Sequence, residues 1–261
     1  MIINIRGTNG AGKTSVYRRF IDDHPGEELF GPTPRLQTDR RYVKPIAFAL
    51  PGGTFCVGRH QAGCDGIHPQ EIIVDLVRHY AALGHVVYEN VLISGNRGRW
   101  EAMARDLEPT NHTVWAVLDT PFATCLERIY QRRALRAAEG WKHRGATIKE
   151  GLIEQQYRRV HRVSLGAVGA GIDVRLIDHT RAYEQTHDLL VRAGWDCGHG
   201  LLLPEEGAPP PYSELPSDGG FDRVRTLGGR TAPAPPHVLS ESPTFAGMIP
   251  VDEEWDVETW E

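Results

Sequence analysis

Residues Gly7 to Thr14 read GTNGAGKT, which fits GxxxxGK[ST] at every fixed position. The motif follows a short apolar run, Ile2–Arg6, that reads as a β-strand. It precedes Lys13–Asp23, whose Val16, Phe20 and Ile21 fall on one helical face. A strand, a glycine-rich loop and a helix in that order form a phosphate cradle. Glycines let backbone N–H groups converge on phosphate oxygens without side-chain clash. The helix N-terminus adds about half a positive charge at the same place. The expected nucleotide contacts are Asn9, Gly10, Ala11, Gly12, Lys13, Thr14 and Ser15, with ATP as the ligand. Lys13 is expected to reach the β and γ oxygens, and the Thr14 hydroxyl to bind Mg²⁺.

Behind this loop, apolar runs alternate with helical patterns. Strands are expected at Leu36–Gln37, Lys44–Leu50, Thr54–His60, His85–Val91, Thr113–Leu118 and Val174–Ile177. Helices are expected at Pro69–Leu83, Arg99–Leu107, Phe122–Ala138, Thr147–Val163 and Arg181–Ala193. Ile72, Ile73, Leu76, Val77 and Tyr80 form the expected buried stripe of the first of these. LPGGT between two strand segments predicts a hairpin. The pattern predicts an α/β fold: a P-loop kinase-like three-layer sandwich with a mainly parallel sheet, an inserted β-hairpin and a helical lid.

From Gly200 the pattern stops. Residues 200–261 hold ten of the 18 prolines, and 12 acidic residues against three arginines. Subtracting from the totals of 34 acidic and 29 basic residues leaves 22 and 26 in residues 1–199. A mildly basic kinase domain, 1–199, is therefore expected to precede an acidic, Pro-rich tail, 200–261, that buries too little apolar surface to order itself. The four cysteines include no CxxC pair, which argues for free thiols in a reducing compartment. No apolar run reaches the length of a membrane span, so a soluble, cytoplasmic protein is expected.

The loop alone does not separate switches, motors and kinases. Two later stretches favour a kinase. VVYENV places Glu89 at the end of a strand, where the second Mg²⁺-organising carboxylate of such proteins stands. A GTPase would show DxxG at that strand end and NKxD later; neither stands in those places. VLDTPFATCLERIYQRR is similar to the lid-region signature of small P-loop kinases, in which Asp-x-Pro leads into an arginine-bearing helix. It nominates Arg128, Arg132 and Arg133 to close over the triphosphate and neutralise the transferring phosphoryl group. A solvated basic helix face is the plainer alternative.

The acceptor side is expected between Asp39 and Gly66. Asp39, Arg59, His60 and Asp65 are its candidate binding groups, joined by Arg97 of SGNRGRW. Asp65 lies between glycines in GCDGI, where it could orient or deprotonate an acceptor hydroxyl, or merely cap a helix. Trp100 could stack a base, although a core position explains it equally well.

The start MIINIRGTNGAGKTS, the stretch ALPGGTFCVGRH with GCDGI after it, and VVYENVLISG together resemble phage 5-hydroxymethyluracil DNA kinases. The resemblance covers about Met1–Gly95 and Leu118–Arg133. It implies transfer of the γ-phosphoryl group of ATP to the 5-hydroxymethyl group of a uracil already in phage DNA. Double-stranded DNA carrying a modified pyrimidine is then the implied partner, and host cytoplasm the implied location. Two alternatives remain open at this point: a thymidylate-like kinase of free nucleotides, and a P-loop nucleotide-binding regulator without transfer activity. The reading of the tail has a direct check. A chain lacking residues 200–261 is expected to keep its turnover, measured against the full chain at equal concentration.

Overall fold

The computed structural model describes residues 1–31, 45–138 and 148–197, together with Pro209. The elements run β1 (Ile2–Arg6), α1 (Lys13–Asp23), β2 (Glu27–Leu29), β3 (Ala47–Leu50) and β4 (Thr54–Val57). A 3₁₀ turn at Cys64–Gly66 leads to α2 (Gln70–Ala81), β5 (His85–Glu89), α3 (Val91–Ser94) and α4 (Gly98–Leu107). The chain continues through β6 (Thr113–Asp119), α5 (Phe122–Ala138), α6 (Glu150–Gly169), β7 (Asp173–Asp178) and α7 (Ala182–Arg192). The expected strand at Leu36–Gln37, and residues 200–261 apart from Pro209, lie outside the described residues.

Among the described residues the strands form one seven-stranded sheet, ordered β2-β3-β4-β5-β1-β6-β7. The five strands from β4 to β7 in that order run parallel. β3 and β2 extend the sheet antiparallel on one side. The LPGGT hairpin is thus part of the sheet itself: Leu50 pairs with Thr54, and β4 then joins β5.

Parallel strands are covered on both faces, so their side chains alternate between two apolar layers. Ile2, Val86, Tyr88, Trp115, Val117, Val174 and Leu176 point to one layer, packed by α2, α4 and α6. Ile3, Ile5, Val87, Ala116, Leu118 and Ile177 point to the other, packed by α1 and α7. On α2, Val74 is buried while Ile72 is only partly so. A helix seated in a groove buries a stripe wider than one row of residues. Trp100 is fully buried beside Tyr88, with ring centroids 6.0 Å apart, and is therefore a core residue.

Several element ends differ from the sequence expectation: β5 stops at Glu89, with α3 starting at Val91, α6 starts at Glu150 and β7 spans Asp173–Asp178. Two further ends have a local physical cause. β4 ends at Val57 because Gly58 has φ 136° and starts a tight turn. α6 runs on through Gly169, past the expected end at Val163. Its last turns carry small residues, including buried Ser164 and Ala167, and Ser164 Oγ donates to the Val160 carbonyl. The four cysteines are buried free thiols. No helix among the described residues is long and apolar enough to cross a membrane.

β1, β4, β5 and β6 share one direction, so Arg6, Val57, Glu89 and Asp119 all leave the sheet at the same edge. In open α/β sheets, ligands bind outside that carboxyl edge.

Candidate active site

Gly10 and Gly12 stand at φ 80° and 101°, a left-handed region that side chains disfavour. A Cβ at Gly10 would stand 2.3 Å from the Cys125 carbonyl oxygen, so the loop also needs glycine to pass the start of α5. Gly12 caps α1 at its N-terminus. The loop is held from behind by Thr120, whose Oγ1 donates to the Ala11 carbonyl at 2.8 Å.

Lys13 is buried and its Nζ donates to the Thr8 carbonyl at 3.0 Å. Burial lowers its pKa, while the carboxylates of Glu89 and Asp65 raise it. Thr14 Oγ1 donates to Glu89 Oε1 at 2.8 Å, and Ser15 beside it is exposed. Glu89 is fully buried, and its second oxygen has no hydrogen-bond partner among the described residues. Burial drives its pKa up to about 7; Asp65 adds to the rise, and Lys13 and the Thr14 hydroxyl oppose it. Glu89 therefore stands at a strand end beside the loop, as the sequence suggested.

The second sequence motif arrives at the same carboxylate. After β4, the chain turns back on itself through paired hydrogen bonds between Arg59 and Gly63, at 2.7 and 2.8 Å. Gly58 and Gly63 face each other so closely that a Cβ on Gly58 would stand 2.5 Å from the Gly63 carbonyl carbon. A Cβ on Gly63 would stand 2.2 Å from Glu89 Oε1. The glycines of this turn thus allow GCDGI to lie directly on the Glu89 carboxylate. Asp65, half-buried in the 3₁₀ turn, acts electrostatically on both Lys13 and Glu89. Helix α2 takes Pro69 as its N-cap, so Asp65 is not that helix's cap. The Arg59 side chain lies along Gly66 in the same turn.

The arginines of α5 meet the loop in part. Arg128 Nη1 donates to the Ala11 carbonyl at 3.2 Å and to the Gly10 carbonyl at 3.4 Å. Arg132 Nη2 donates to Asn9 Oδ1 at 2.8 Å. Positions 128 and 132 share one face, as i and i+4 must. Arg133 is half-buried, close enough to Tyr130 for its charge to act on that ring's hydroxyl. Tyr130 in turn donates to Glu150 of α6 at 2.5 Å.

Two candidate substrate groups are engaged elsewhere. His60 Nε2 stands 2.6 Å from Asp22 Oδ1 on α1, and its Nδ1 stands 3.0 Å from Gln61 Nε2. Arg97 pairs with Glu101 one turn along α4 and packs on Gly166 of α6. Asp39 lies outside the described residues. Gln156 of α6 is a loop contact that sequence reasoning missed. Its Oε1 accepts from Thr8 Oγ1 at 3.0 Å and from the Asn9 amide at 3.4 Å, across 148 residues of chain. A polar residue between buried Ile153, Tyr157 and Val160 was the available signal.

Thr14 and Glu89 supply hard oxygen donors, one of them a buried oxygen lacking a hydrogen-bond partner. That set suits Mg²⁺, which takes one or two protein groups and completes its shell with phosphates and water.

The fold and this loop define a P-loop kinase-like α/β protein. No family model matches the chain. It is similar to a 5-hmdU DNA kinase of Pseudomonas phage M6, 28% identical over 203 residues that span 74% of this chain and 98% of that one. It is similar also to the 5-hmdU DNA kinase of Pseudomonas phage PaMx11, 34% identical over 140 residues, 51% of this chain and 69% of that one. A 5-hmdU DNA kinase of Bacillus phage SP10 is 28% identical over 181 residues, 66% of this chain but 26% of that one. The chain belongs to the family of phage 5-hmdU DNA kinases, and is a phosphotransferase of that family.

The Gln156 contact generates a prediction. Gln156→Ala frees the Thr8 hydroxyl and the Asn9 amide, loosening the loop without touching the GCDGI turn. The KM for the nucleotide phosphate donor is expected to rise about threefold to tenfold, the equivalent of roughly one hydrogen bond, with kcat nearly unchanged in steady-state kinetics.

Proposed function

We propose that the protein transfers the γ-phosphoryl group of ATP to the 5-hydroxymethyl group of a hydroxymethyluracil in DNA. One observation carries the reading: the GCDGI turn lies on the Glu89 carboxylate that also accepts the Thr14 hydroxyl. A donor motif and an acceptor motif thus meet at one group. The relatives, named as 5-hmdU DNA kinases, support the choice of acceptor.

The residues divide the work by charge. Lys13 binds the β and γ oxygens, exchanging its contact with the Thr8 carbonyl for phosphate. Arg128 and Arg132, already at the loop, offset negative charge on the transferring group. Thr14 and Glu89 would hold Mg²⁺, which would supply positive charge to offset that of the phosphates. Asp65 accepts the proton of the hydroxymethyl group as its oxygen attacks phosphorus. The bond from phosphorus to the β,γ-bridging oxygen breaks, leaving ADP and a phosphomonoester on the base. Arg59, on the same turn, is placed to orient the acceptor.

A base inside a duplex cannot reach Asp65, so the hydroxymethyluracil has to leave the stack. The exposed arginines of α6, Arg158, Arg159 and Arg162, suit the phosphates of the flanking backbone. Residues 200–261 stand outside this division of labour.

Labelled ATP offered to a hydroxymethyluracil duplex, a thymine duplex and free nucleotides tests the proposal. Label is expected only in the first. Lys13→Ala is expected to abolish incorporation, and Asp65→Asn to reduce it about 100-fold or more, within the range of a lost general base. Equal labelling of both duplexes, or of free nucleotides alone, contradicts the reading.

A further inference from the structure

Arg6 ends β1 immediately before the phosphate loop, and none of it is solvent-exposed. No carboxylate pairs with it among the described residues. Instead Nη2 donates to three carbonyls, those of Ile93 at 2.7 Å, Ser94 at 3.1 Å and Asn96 at 2.9 Å. The guanidinium carbon lies 3.6 Å from the centre of the Trp115 ring. Nε and Nη1 have no hydrogen-bond partner among the described residues. Burial draws the pKa of Arg6 down to about 9, with Tyr88 acting in the opposite direction.

A buried cation without a counter-carboxylate is poorly explained by stability. The desolvation penalty of such a group commonly exceeds what its contacts return, and an apolar residue of similar size often serves the fold as well or better. The explanation lies in what Arg6 touches. The three carbonyls belong to the end of the one-turn helix α3 and the residues just after it, where the intrahelical ladder runs out; the Ile93 carbonyl also accepts the Asn96 amide at 3.1 Å. A cation at a helix C-terminus also meets its negative end.

The same segment is tied to the phosphate loop from a second direction. The Gly7 amide donates to Ser94 Oγ at 3.1 Å, and Ser94 Oγ donates to the Asn90 carbonyl at 2.9 Å. The Asn90 side chain caps the Ile93 amide at 3.0 Å. Asn90 directly follows Glu89. A short path therefore runs from the first residue of the loop to the residue beside the shared carboxylate, and Arg6 grips its far end.

We propose that Arg6 is a positioning residue for phosphoryl transfer, fastening Asn90–Asn96 to the start of the phosphate loop and so fixing Glu89 against Thr14 and Lys13. The kinetic part of the inference rests on the function proposed above. Its structural part does not.

The test compares Arg6→Met and Arg6→Lys with the full chain by amide hydrogen exchange and by kinetics on the hydroxymethyluracil duplex. Arg6→Met is expected to fold, to exchange faster at Gly7 and residues 93–96, and to leave β7 and α7 unchanged. Its kcat is expected to fall on the order of 100-fold, the scale of a misplacement near 1 Å, with the KM for ATP within about threefold. Arg6→Lys, which keeps a cation for the same carbonyls, is expected to recover most of both losses. A folded Arg6→Met with native exchange at residues 93–96 overturns the proposal, as does a folded one with native kcat. If Arg6→Met does not fold, Arg6→Lys decides: native exchange with kcat still reduced about 100-fold overturns the positioning role, and recovery of both supports it. If the unaltered chain does not label the duplex, the function proposed above fails. The exchange comparison then judges the fastening by itself.

Discussion

The 2.8 Å contact between the Thr14 hydroxyl and the Glu89 carboxylate depends on strand register. β1 pairs with β5 so that Ile5 stands opposite Glu89. The last residue of β5 is thereby set beside the point where the chain leaves β1 for the phosphate loop. Gly12 then turns the chain into α1, and Thr14 falls in its first turn. A slip of one residue would reverse every side chain of β5 and send Glu89 into the wrong layer. The apolar alternation of Val86, Val87 and Tyr88 holds that register. Glu89 and Lys13 are both buried, and each eases the electrostatic cost of burying the other.

The second motif is delivered by the neighbouring strand. β4 pairs with β5 with Val57 opposite Tyr88, so the chain leaves β4 one residue short of Glu89. Two glycines then let the turn fold back without a side chain between it and the carboxylate. The phosphate loop leaves β1 and the GCDGI turn follows β4, the two strands that flank β5 in one sheet. Their meeting needs no domain movement.

Much of this was legible because it is local. A short apolar run marked β1, and helical patterns marked α1 and α5, with the ends where the structure has them. Glu89 was recognisable because an unpaired acid belongs at a strand end. What stayed hidden is either short or long-range. β2 is three residues long, with two exposed acids, and carries no apolar period. His60 and Arg97 look like free polar groups until Asp22 and Glu101 are folded against them. Gln156 accepts from the Asn9 amide 147 residues away and Arg6 donates to a carbonyl 90 residues away, and a backbone partner has no sequence signature. Arg6 in IINIR reads as the polar end of a strand, although it is one of the larger fully buried side chains of the protein.

The central claim is that the phosphate loop and the GCDGI turn converge on Glu89. The direct measurement is the titration of the Glu89 carboxyl by carbon-13 NMR in metal-free protein, in the unaltered chain and in Asp65→Asn. A carboxyl whose folded pKa is raised keeps its proton to higher pH than it would in the unfolded chain. The unaltered chain should titrate well above the ordinary value of 4.5, near 7. Removing the Asp65 charge should move that titration downward, because the two carboxylates repel. An unchanged Glu89 titration in Asp65→Asn would contradict the convergence.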